Sequence, residues 1–405
     1  KNWGPMSYDP ATKIHELSAF GEFGGVNPSI TDSSTYTFLK SETMKELFES
    51  EIEGCFLYSR HWNPSNKYLS DAISALENSE ASQITASGIS AIACTILQIC
   101  KQGDEIISSR TIYGGTYALF KNILPRFGIT VKFVDISDLT TIESKISKNT
   151  KLIYCESISN PLLDISDLPA LGDLANTHNM KLVVDNTFSP MLVTPINLCA
   201  DVVIHSMTKF INGTSDCVAG SISSTKEFIS SLSDVNDGMC MLLGPVLDSF
   251  RSASILKNIH TLHIRIQQHS KNALYIAQGL ESLGVKVMYP GLKNHPHHNL
   301  MTSMMNPKYG YSGILAMDVK EEKIAEDLME KMQNANIGLL AVSLGYFKTL
   351  FSLPGNSTSS EISDEEQVEM GLSKGIIRLS VGLDENIEHT FDKMKSCMKE
   401  VGIKF

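Results

Sequence analysis

The sequence predicts an α/β fold with a large, mostly parallel sheet and a smaller C-terminal α+β domain. Three observations predict it. Short β-branched runs alternate with longer helical stretches between about residues 80 and 225, which is typical of βαβ units joined in one sheet. After about residue 245, a long helical stretch precedes interleaved strand-like and helical segments. Finally, 405 residues are too many for one small core and fit two packed domains.

Residues 1–70 are expected to form an N-terminal arm that contacts a neighbouring subunit. Their periodicity is weak, and Ser, Thr, Asn and Pro are frequent. Such a segment cannot bury enough apolar surface to build a core of its own.

Residues 71–245 are predicted to form the large domain. Ser87 can cap the helix after the first strand, and Asp167 precedes a Leu-Pro pair that is typical of a first helical turn. The predicted strands are ASQITA (81–86), DEIISS (104–109), TVKFVD (130–135), KLIYCE (151–156), KLVVD (181–185), DVVIH (201–205) and CVAGSI (217–222).

Residues 246–405 are predicted to form the C-terminal domain, which begins with one long helical stretch at about 247–284. Alternation of strands with helical patterns over 320–335 and 386–400 favours an α+β arrangement. The strand-like runs are VKVMYP (285–290), GILAMDV (313–319), IGLLAVS (337–343) and GIIRLSVG (375–382).

The charge balance excludes two classes of partner. The net charge is −11, whereas nucleic acids and anionic membranes both require a basic face. No apolar run is long enough to predict a membrane span, and residues 1–13 lack the apolar core of a signal peptide. The eight cysteines are scattered without a C-x-x-C pair, which indicates reduced thiols. We therefore expect a cytoplasmic protein.

Reactive and polar residues follow consecutive predicted strands. Ligands of open α/β sheets bind beyond the carboxyl ends of the strands, so these residues should meet at one edge. They are Ser87-Gly88-Ile89, Tyr113, Asn160, Asp185, and Ser206 with Thr208 and Lys209. Taken singly, each has an ordinary explanation, such as a helix cap, a turn or a solvated surface charge. Their conjunction after consecutive strands favours a binding site.

The residue types at this edge suit pyridoxal phosphate. The helix start at Ser87 and Gly88 attracts phosphate, and the hydroxyls of Ser206 and Thr208 can join it. The remaining side chains suit the ring and the aldehyde: Asp185 can pair with a ring nitrogen, Tyr113 can stack on a flat ring, and Lys209 can form a Schiff base.

Four motifs resemble the Cys/Met-metabolism family of fold-type-I pyridoxal-phosphate enzymes. They are SMTKF around Lys209, VVDNTFSP around Asp185, ASGISAI around Ser87 and YSRHWNPS at 58–65, and the resemblance runs from about Glu22 to the C-terminus. It implies that Lys209 carries the cofactor and moves protons, and that Tyr113 stacks on the ring and acts as an acid toward the leaving group.

The resemblance also implies roles for the other residues. The phosphate ligands are Ser87, Gly88, Ile89, Ser206 and Thr208; Asp185 pairs with the pyridine nitrogen; Asn160 touches the phenolic oxygen; and Arg378, helped by Ser343, holds the substrate carboxylate. Tyr58 and Arg60 are expected to reach the phosphate of a neighbouring subunit. The resemblance thus implies a homo-oligomer, usually a tetramer built of catalytic dimers.

The substrate is expected to be a sulfur amino acid. Val342 stands where family members that act on cystathionine often have Glu, and an apolar residue there resembles methionine γ-lyases. The stretches YSRH-x-NP, YPGL-x-x-HP (289–296) and STSSE (357–361) resemble the plant type. Gly115 replaces a Cys of the bacterial enzymes, and LPGNSTSS (353–360) replaces a P-A-x-M-T-H segment. We expect γ-elimination of methionine; γ-replacement, cystathionine cleavage and a catalytically idle binding subunit remain alternatives.

A cluster of histidines is a second candidate site. His295, His297 and His298 crowd into NHPHHN, but no Cys or acidic residue stands at metal-ligand spacing. We expect a loop without a metal, and no metal site elsewhere. The chain also has no G-x-G-x-x-G after a strand, no P-loop and no G-x-S-x-G, which disfavours nicotinamide, nucleotide and serine-hydrolase chemistry.

Overall fold

The computed structural model describes residues 8–49, 52, 54–355 and 373–405. The STSSE run and most of LPGNSTSS lie outside these residues. The helices are α1 (Pro10–His15), α2 (Ser41–Glu49), α3 (Pro64–Glu77), α4 (Gly88–Ile99), α5 (Gly114–Ala118), α6 (Leu139–Lys145), α7 (Leu168–Thr177), α8 (Lys226–Leu232), α9 (Met239–Leu243), α10 (Ser249–Ile259), α11 (Leu262–Ser282), α12 (His298–Met304), α13 (Glu322–Asn334) and α14 (Ile387–Glu400).

The strands of the first half of the chain form a seven-stranded sheet in the order β1-β7-β6-β5-β4-β2-β3. Only β7 runs against the others, because it pairs antiparallel with both β1 and β6 while the remaining pairs are parallel. These strands are β1 (Ala81–Thr85), β2 (Glu105–Ser109), β3 (Thr130–Val134), β4 (Thr150–Glu156), β5 (Lys181–Asp185), β6 (Val202–Ser206) and β7 (Gly220–Ser224). The predicted large, mostly parallel sheet is confirmed.

Both faces of this sheet are buried. Leu182 and Val184 of β5 belong to one apolar core, whereas Val183 between them belongs to a second core on the other face. This explains why the strands read as continuous apolar runs without polar alternation. The helix caps also agree with the sequence, since Ser87 accepts a hydrogen bond from Ser90 N at 3.1 Å and Asp167 accepts one from Ala170 N at 3.1 Å.

A smaller mixed sheet follows in the order β10-β11-β12-β9-β8 and encloses its own apolar core. Its strands are β8 (Lys286–Met288), β9 (Ile314–Asp318), β10 (Gly338–Leu340), β11 (Thr349–Ser352) and β12 (Ile376–Ser380). The predicted smaller α+β unit is thus present. Strand β11 was not predicted, because its four-residue run is too short to show a clear alternation.

The helical stretch at 247–284 was predicted as continuous and is instead divided. Helix α10 ends at Ile259, and α11 begins at Leu262. The sequence gives no Gly or Pro at the break, so apolar spacing alone could not locate it. In the described ranges, no helix is both long and apolar enough to cross a membrane.

Candidate active site

The carboxyl edge of the seven-stranded sheet gathers the predicted residues. Strands β1, β2, β4, β5 and β6 run in the same direction. Their carboxyl ends therefore meet at one edge of the sheet. The residues at these ends are Ser87 after β1, Tyr113 after β2, Asn160 after β4, Asp185 ending β5 and Lys209 after β6.

Lys209 lies against the smaller sheet. Its Nζ donates a hydrogen bond of 3.1 Å to Ser343 Oγ, which belongs to the segment after β10. Burial, and then the positive charge of Arg378, lower the pKa of Lys209 to about 8. About a tenth of the amine is therefore unprotonated at pH 7, far more than for a lysine with the ordinary pKa of 10.5, and a nucleophile or general base requires this form.

Arg378 links the two sheets at the same place. It lies in β12, only 3% of its surface is exposed, and its Nη1 donates to Asn160 Oδ1 at 3.0 Å. Burial lowers its pKa to about 10, so the guanidinium stays charged at neutral pH. A buried guanidinium with no bidentate carboxylate partner among the described residues is suited to holding the carboxylate of a ligand.

Asp185 is held from one side. Its Oδ1 accepts hydrogen bonds from Thr187 N at 3.0 Å and Thr187 Oγ1 at 2.6 Å, while Tyr154 Oη approaches Oδ2 at 3.5 Å. Burial raises the pKa of Asp185, and these hydrogen bonds and His205 oppose the rise. The second oxygen, Oδ2, has only this long contact and can accept a hydrogen bond from a protonated ring nitrogen.

The start of α4 and the end of β6 form two sides of a narrow cradle. Gly88 and Ile89 are the first helical residues, so their amides have no acceptor within the helix. A Cβ on Gly88 would lie 2.8 Å from the Cβ of Ser206. Thr208 Oγ1, two residues on, accepts from Ala219 N at 3.0 Å. This arrangement of amides and hydroxyls suits phosphate.

Tyr113 is 44% exposed. Its backbone amide donates to Glu156 Oε1 at 2.7 Å, while Asn160 N donates to Glu156 Oε2 at 2.8 Å. One buried carboxylate thus holds the loops after β2 and β4 together. Burial and the neighbouring Asp185 raise the pKa of Glu156, and the two amide bonds and Arg378 oppose that rise.

Sequence reasoning missed Glu156, and likewise the support that Thr187 gives to Asp185. A signal for Glu156 was present, because a carboxylate at the end of an otherwise apolar parallel strand must be buried and therefore bonded. Thr187 follows Asp185 by two residues, which is the spacing of a local hydrogen-bonded turn.

Three predicted residues lie apart from these contacts. The guanidinium of Arg60 lies 5.6 Å from the centre of the Tyr58 ring, and within the described ranges neither residue is hydrogen bonded to the cluster around Lys209. Val342 adjoins Ser343 and is 61% exposed.

The histidine segment is a loop only as far as His297, because His298 begins α12. His297 Nδ1 accepts a hydrogen bond from Ile165 N at 3.2 Å, and the ring of His298 stacks on Tyr311. Within the described residues, no group of side chains could hold a metal ion.

The residues at the edge fit a flat, phosphorylated pyridine aldehyde. Gly88 lies close to Ser206, and the backbone amides at this helix start are free of helical acceptors. One oxygen of the buried Asp185 has only a 3.5 Å contact with Tyr154. The amine of Lys209 has a lowered pKa. Together, these groups could hold a phosphate, a ring nitrogen and an aldehyde carbon respectively.

Comparisons with known proteins identify the family. The Cys/Met metabolism PLP-dependent enzyme family matches residues 11–399. The chain is 40% identical to a methionine gamma-lyase of Arabidopsis thaliana, covering 96% of this chain and 89% of that protein. It is 36% identical to a cystathionine gamma-lyase of Dictyostelium discoideum, covering 81% of this chain and 83% of that protein.

A solved structure from Campylobacter jejuni superposes with a TM-score of 0.90 at 28% identity, covering 97% of this chain and 100% of that chain. It contains an N′-pyridoxyl-lysine-5′-monophosphate residue. The chain belongs to the Cys/Met-metabolism family of enzymes, which depend on pyridoxal phosphate and have the fold-type-I architecture.

Proposed function

We propose that this enzyme catalyses the γ-elimination of L-methionine, which gives methanethiol, ammonia and 2-oxobutanoate. The observation that carries the choice of substrate is the apolar Val342 beside Ser343, whose hydroxyl accepts a hydrogen bond from Lys209. The similarity to the Arabidopsis thaliana methionine gamma-lyase supports the same activity.

The proposed cofactor site uses the sheet edge. Lys209 would hold the cofactor covalently, Asp185 would pair with its ring nitrogen, Tyr113 would stack on its ring and Asn160 would touch its phenolic oxygen. The phosphate would be bound by Ser87, Gly88, Ile89, Ser206 and Thr208. When bound, pyridoxal phosphate withdraws electrons from the substrate and so makes the protons at Cα and Cβ acidic.

The chain's own side chains then position the substrate and move protons. Arg378, helped by Ser343, holds the substrate carboxylate, which fixes Cα next to Lys209. The Lys209 amine would take the proton from Cα, pass it to the cofactor, and so be free to remove a proton from Cβ. Tyr113 donates a proton to the sulfur as the Cγ–S bond breaks, so methanethiol leaves as a neutral thiol.

The γ-substituent distinguishes methionine from cystathionine. Cystathionine carries a second ammonium and carboxylate, and a Glu at position 342 could pair with that ammonium. Val342 offers no such charge, whereas its apolar side chain can contact the methyl group of methionine. Cystathionine cleavage is the second candidate, because the Dictyostelium discoideum cystathionine gamma-lyase is 36% identical. γ-Replacement on an O-acylhomoserine is a third, and a catalytically idle subunit is disfavoured by the intact Lys209, Asp185, Tyr113 and Arg378.

We also propose that the active enzyme is a cytoplasmic homotetramer of catalytic dimers. Tyr58 and Arg60 lie apart from the cluster around Lys209 in their own chain. Serving the phosphate of a neighbouring subunit, as the family resemblance implies, would give both side chains a function.

Substrate preference is tested by kcat/KM on one preparation for L-methionine, L-cystathionine, and an O-acylhomoserine with cysteine. We expect methionine to be preferred. We expect Val342→Glu to shift the ratio toward cystathionine by about tenfold or more, equivalent to about 1.4 kcal/mol of transition-state stabilisation. Leu340→Glu is the matched control, because Leu340 is also apolar and exposed. A tenfold preference of the unaltered enzyme for either competing reaction contradicts the proposal.

Cofactor attachment is tested separately. Borohydride reduction followed by peptide mapping should find the cofactor on Lys209, and Lys209→Ala should remove both turnover and the visible absorbance band. Full activity of Lys209→Ala would contradict the assignment of this lysine.

A further inference from the structure

The turn that holds Lys209 is closed by a side chain from a distant helix. Lys209 N donates to Ser206 O at 3.2 Å and Gly213 N donates to Lys209 O at 2.8 Å, so residues 206–213 form a compact turn. The carbonyls of Phe210 and Ile211 lie at its end, where helix-like turns leave acceptors without partners. Arg265 of α11 bonds both, from Nη1 to Phe210 O at 2.5 Å and from Nη2 to Ile211 O at 2.9 Å.

The guanidinium of Arg265 donates to carbonyl oxygens from Nη1 and Nη2, and its Nε donates to Thr261 Oγ1 at 3.4 Å. Its Nη2 also donates to Asn258 O at 3.0 Å, and among the described residues it forms no ion pair. Burial lowers its pKa to about 10, so it remains charged. A planar fork can bond several acceptors at fixed angles, which a lysine ammonium cannot reproduce.

The same face of α11 is anchored on the strand that carries Arg378. His269 and Asn272 follow Arg265 by four and seven residues, so the three side chains share one helix face. His269 Nδ1 bonds Val381 O at 2.6 Å, and Asn272 Nδ2 donates to Gly382 O at 2.9 Å. Both carbonyls lie just beyond β12. Helix α11 therefore joins the Lys209 turn to the Arg378 strand.

The space around the turn allows little movement. Gly213 has φ +74°, and a Cβ there would lie 2.4 Å from Nη1 of Arg265. On the other side, Gly345 has φ +79°, and a Cβ would lie 2.5 Å from Phe210 N and 2.9 Å from the carbonyl carbon of Lys209. The backbone of the turn is thus confined between the guanidinium and the segment that carries Ser343.

We propose that Arg265 is a positioning residue that fixes the Lys209 amine relative to Ser343 and Arg378 by holding the turn after Lys209. The inference rests on the proposed function, since it takes Lys209 as the reacting amine. Burial and the nearby Arg378 lower the pKa of Lys209, and both effects depend on where the turn holds the side chain. A loosened turn lets the amine move toward water, which raises its pKa.

The test uses three full-length variants: Arg265→Met, Arg265→Lys, and Arg251→Met as control. Arg251 is exposed and donates to one carbonyl, Asp216 O, at 3.0 Å. The first readout is the pH midpoint of amine labelling at Lys209 in the cofactor-free chain, followed by peptide mass spectrometry. The second is kcat and KM of the holoenzyme.

We expect Arg265→Met to raise the labelling midpoint by roughly one pH unit and to lower kcat by about tenfold to a hundredfold, with KM changed less than about threefold. Arg265→Lys should move both readouts in the same direction, because it keeps the charge and loses the fork. Arg251→Met should match the unaltered enzyme. If Arg265→Met does not fold, the labelling midpoint and kcat of Arg265→Lys test the inference.

An Arg265→Lys enzyme with unaltered midpoint and kcat overturns the inference, since charge alone would then suffice. An equal loss of kcat in Arg251→Met and Arg265→Met would also overturn the inference. The labelling midpoint is measured without substrate. If the enzyme does not cleave methionine, the proposed function is wrong, but the midpoints still test the role of Arg265. Mapping of the reduced cofactor to another lysine would show that Lys209 is not the reacting amine and would overturn the inference.

Discussion

Lys209 is expected to lower the stability of the cofactor-free protein. Burial and Arg378 reduce its pKa from 10.5 to about 8. Since each tenfold change in acidity corresponds to about 1.4 kcal/mol, holding this ammonium in the folded state costs about 3 kcal/mol. Lys209→Met removes the charge and keeps an unbranched side chain that is one heavy atom shorter. The free energy of unfolding at pH 7 should therefore rise by about 2 to 3 kcal/mol.

The pH dependence of this gain has a definite sign. The folded protein releases the Lys209 proton near pH 8, whereas the unfolded chain keeps it until about pH 10.5. The unfolded state thus binds more protons between these values, so the unaltered protein gains stability as the pH rises through them. The gain in the free energy of unfolding from Lys209→Met should be at its full value below pH 8 and should fall to about 1 kcal/mol or less at pH 10.

The assay is urea unfolding of the cofactor-free proteins at one protein concentration, at pH 7 and pH 10. Lys271→Met is the control, because Lys271 is an exposed lysine on α11 and should show no comparable gain. A Lys209→Met protein that is no more stable at pH 7, or whose advantage is equal at both pH values, would refute the reasoning. The predicted gain reflects a site arranged for reactivity at the expense of stability.

Two further predictions concern Gly115 and Arg60. Gly115→Ala should lower kcat by about tenfold while the cofactor is retained, because a Cβ there would lie 2.5 Å from Cε1 of the Tyr113 ring and would displace the proposed acid; unchanged kcat would show that the ring does not act from this position. Arg60→Ala should weaken cofactor retention, and mixing it with Lys209→Ala chains should restore activity in mixed oligomers; mixtures no more active than either variant alone would contradict a shared site.

The large sheet and its reactive edge were predictable because both depend on local rules. Continuous apolar runs indicate strands buried on both faces, and residues that follow parallel strands must meet at one edge whatever the rest of the chain does. Asp185 and Lys209 could therefore be assigned to one edge without contact information. The cap at Ser87 was likewise predictable, since a capping side chain bonds an amide only three residues away.

The sequence alone could not reveal contacts between elements that are distant along the chain. Asn160 and Arg378 are 218 residues apart, and Lys209 and Ser343 are 134 apart, so these pairs meet only through the packing of the two sheets. The family resemblance supplied a role for Arg378, but it gave no reason to connect that residue with Asn160.

The division of the helical stretch 247–284 and the function of Arg265 were also decided by tertiary structure. The apolar spacing continues across the break between α10 and α11, so local periodicity is satisfied by one helix or by two. The sequence assigned no function to Arg265, because nothing in its neighbours along the chain indicates that its partners are Phe210 and Ile211. The sequence by itself determined the chemistry at the sheet edge. Packing of α11 and β12 against that edge decided how these residues are held, because hydrogen bonds between remote segments depend on the tertiary arrangement of the elements that carry them.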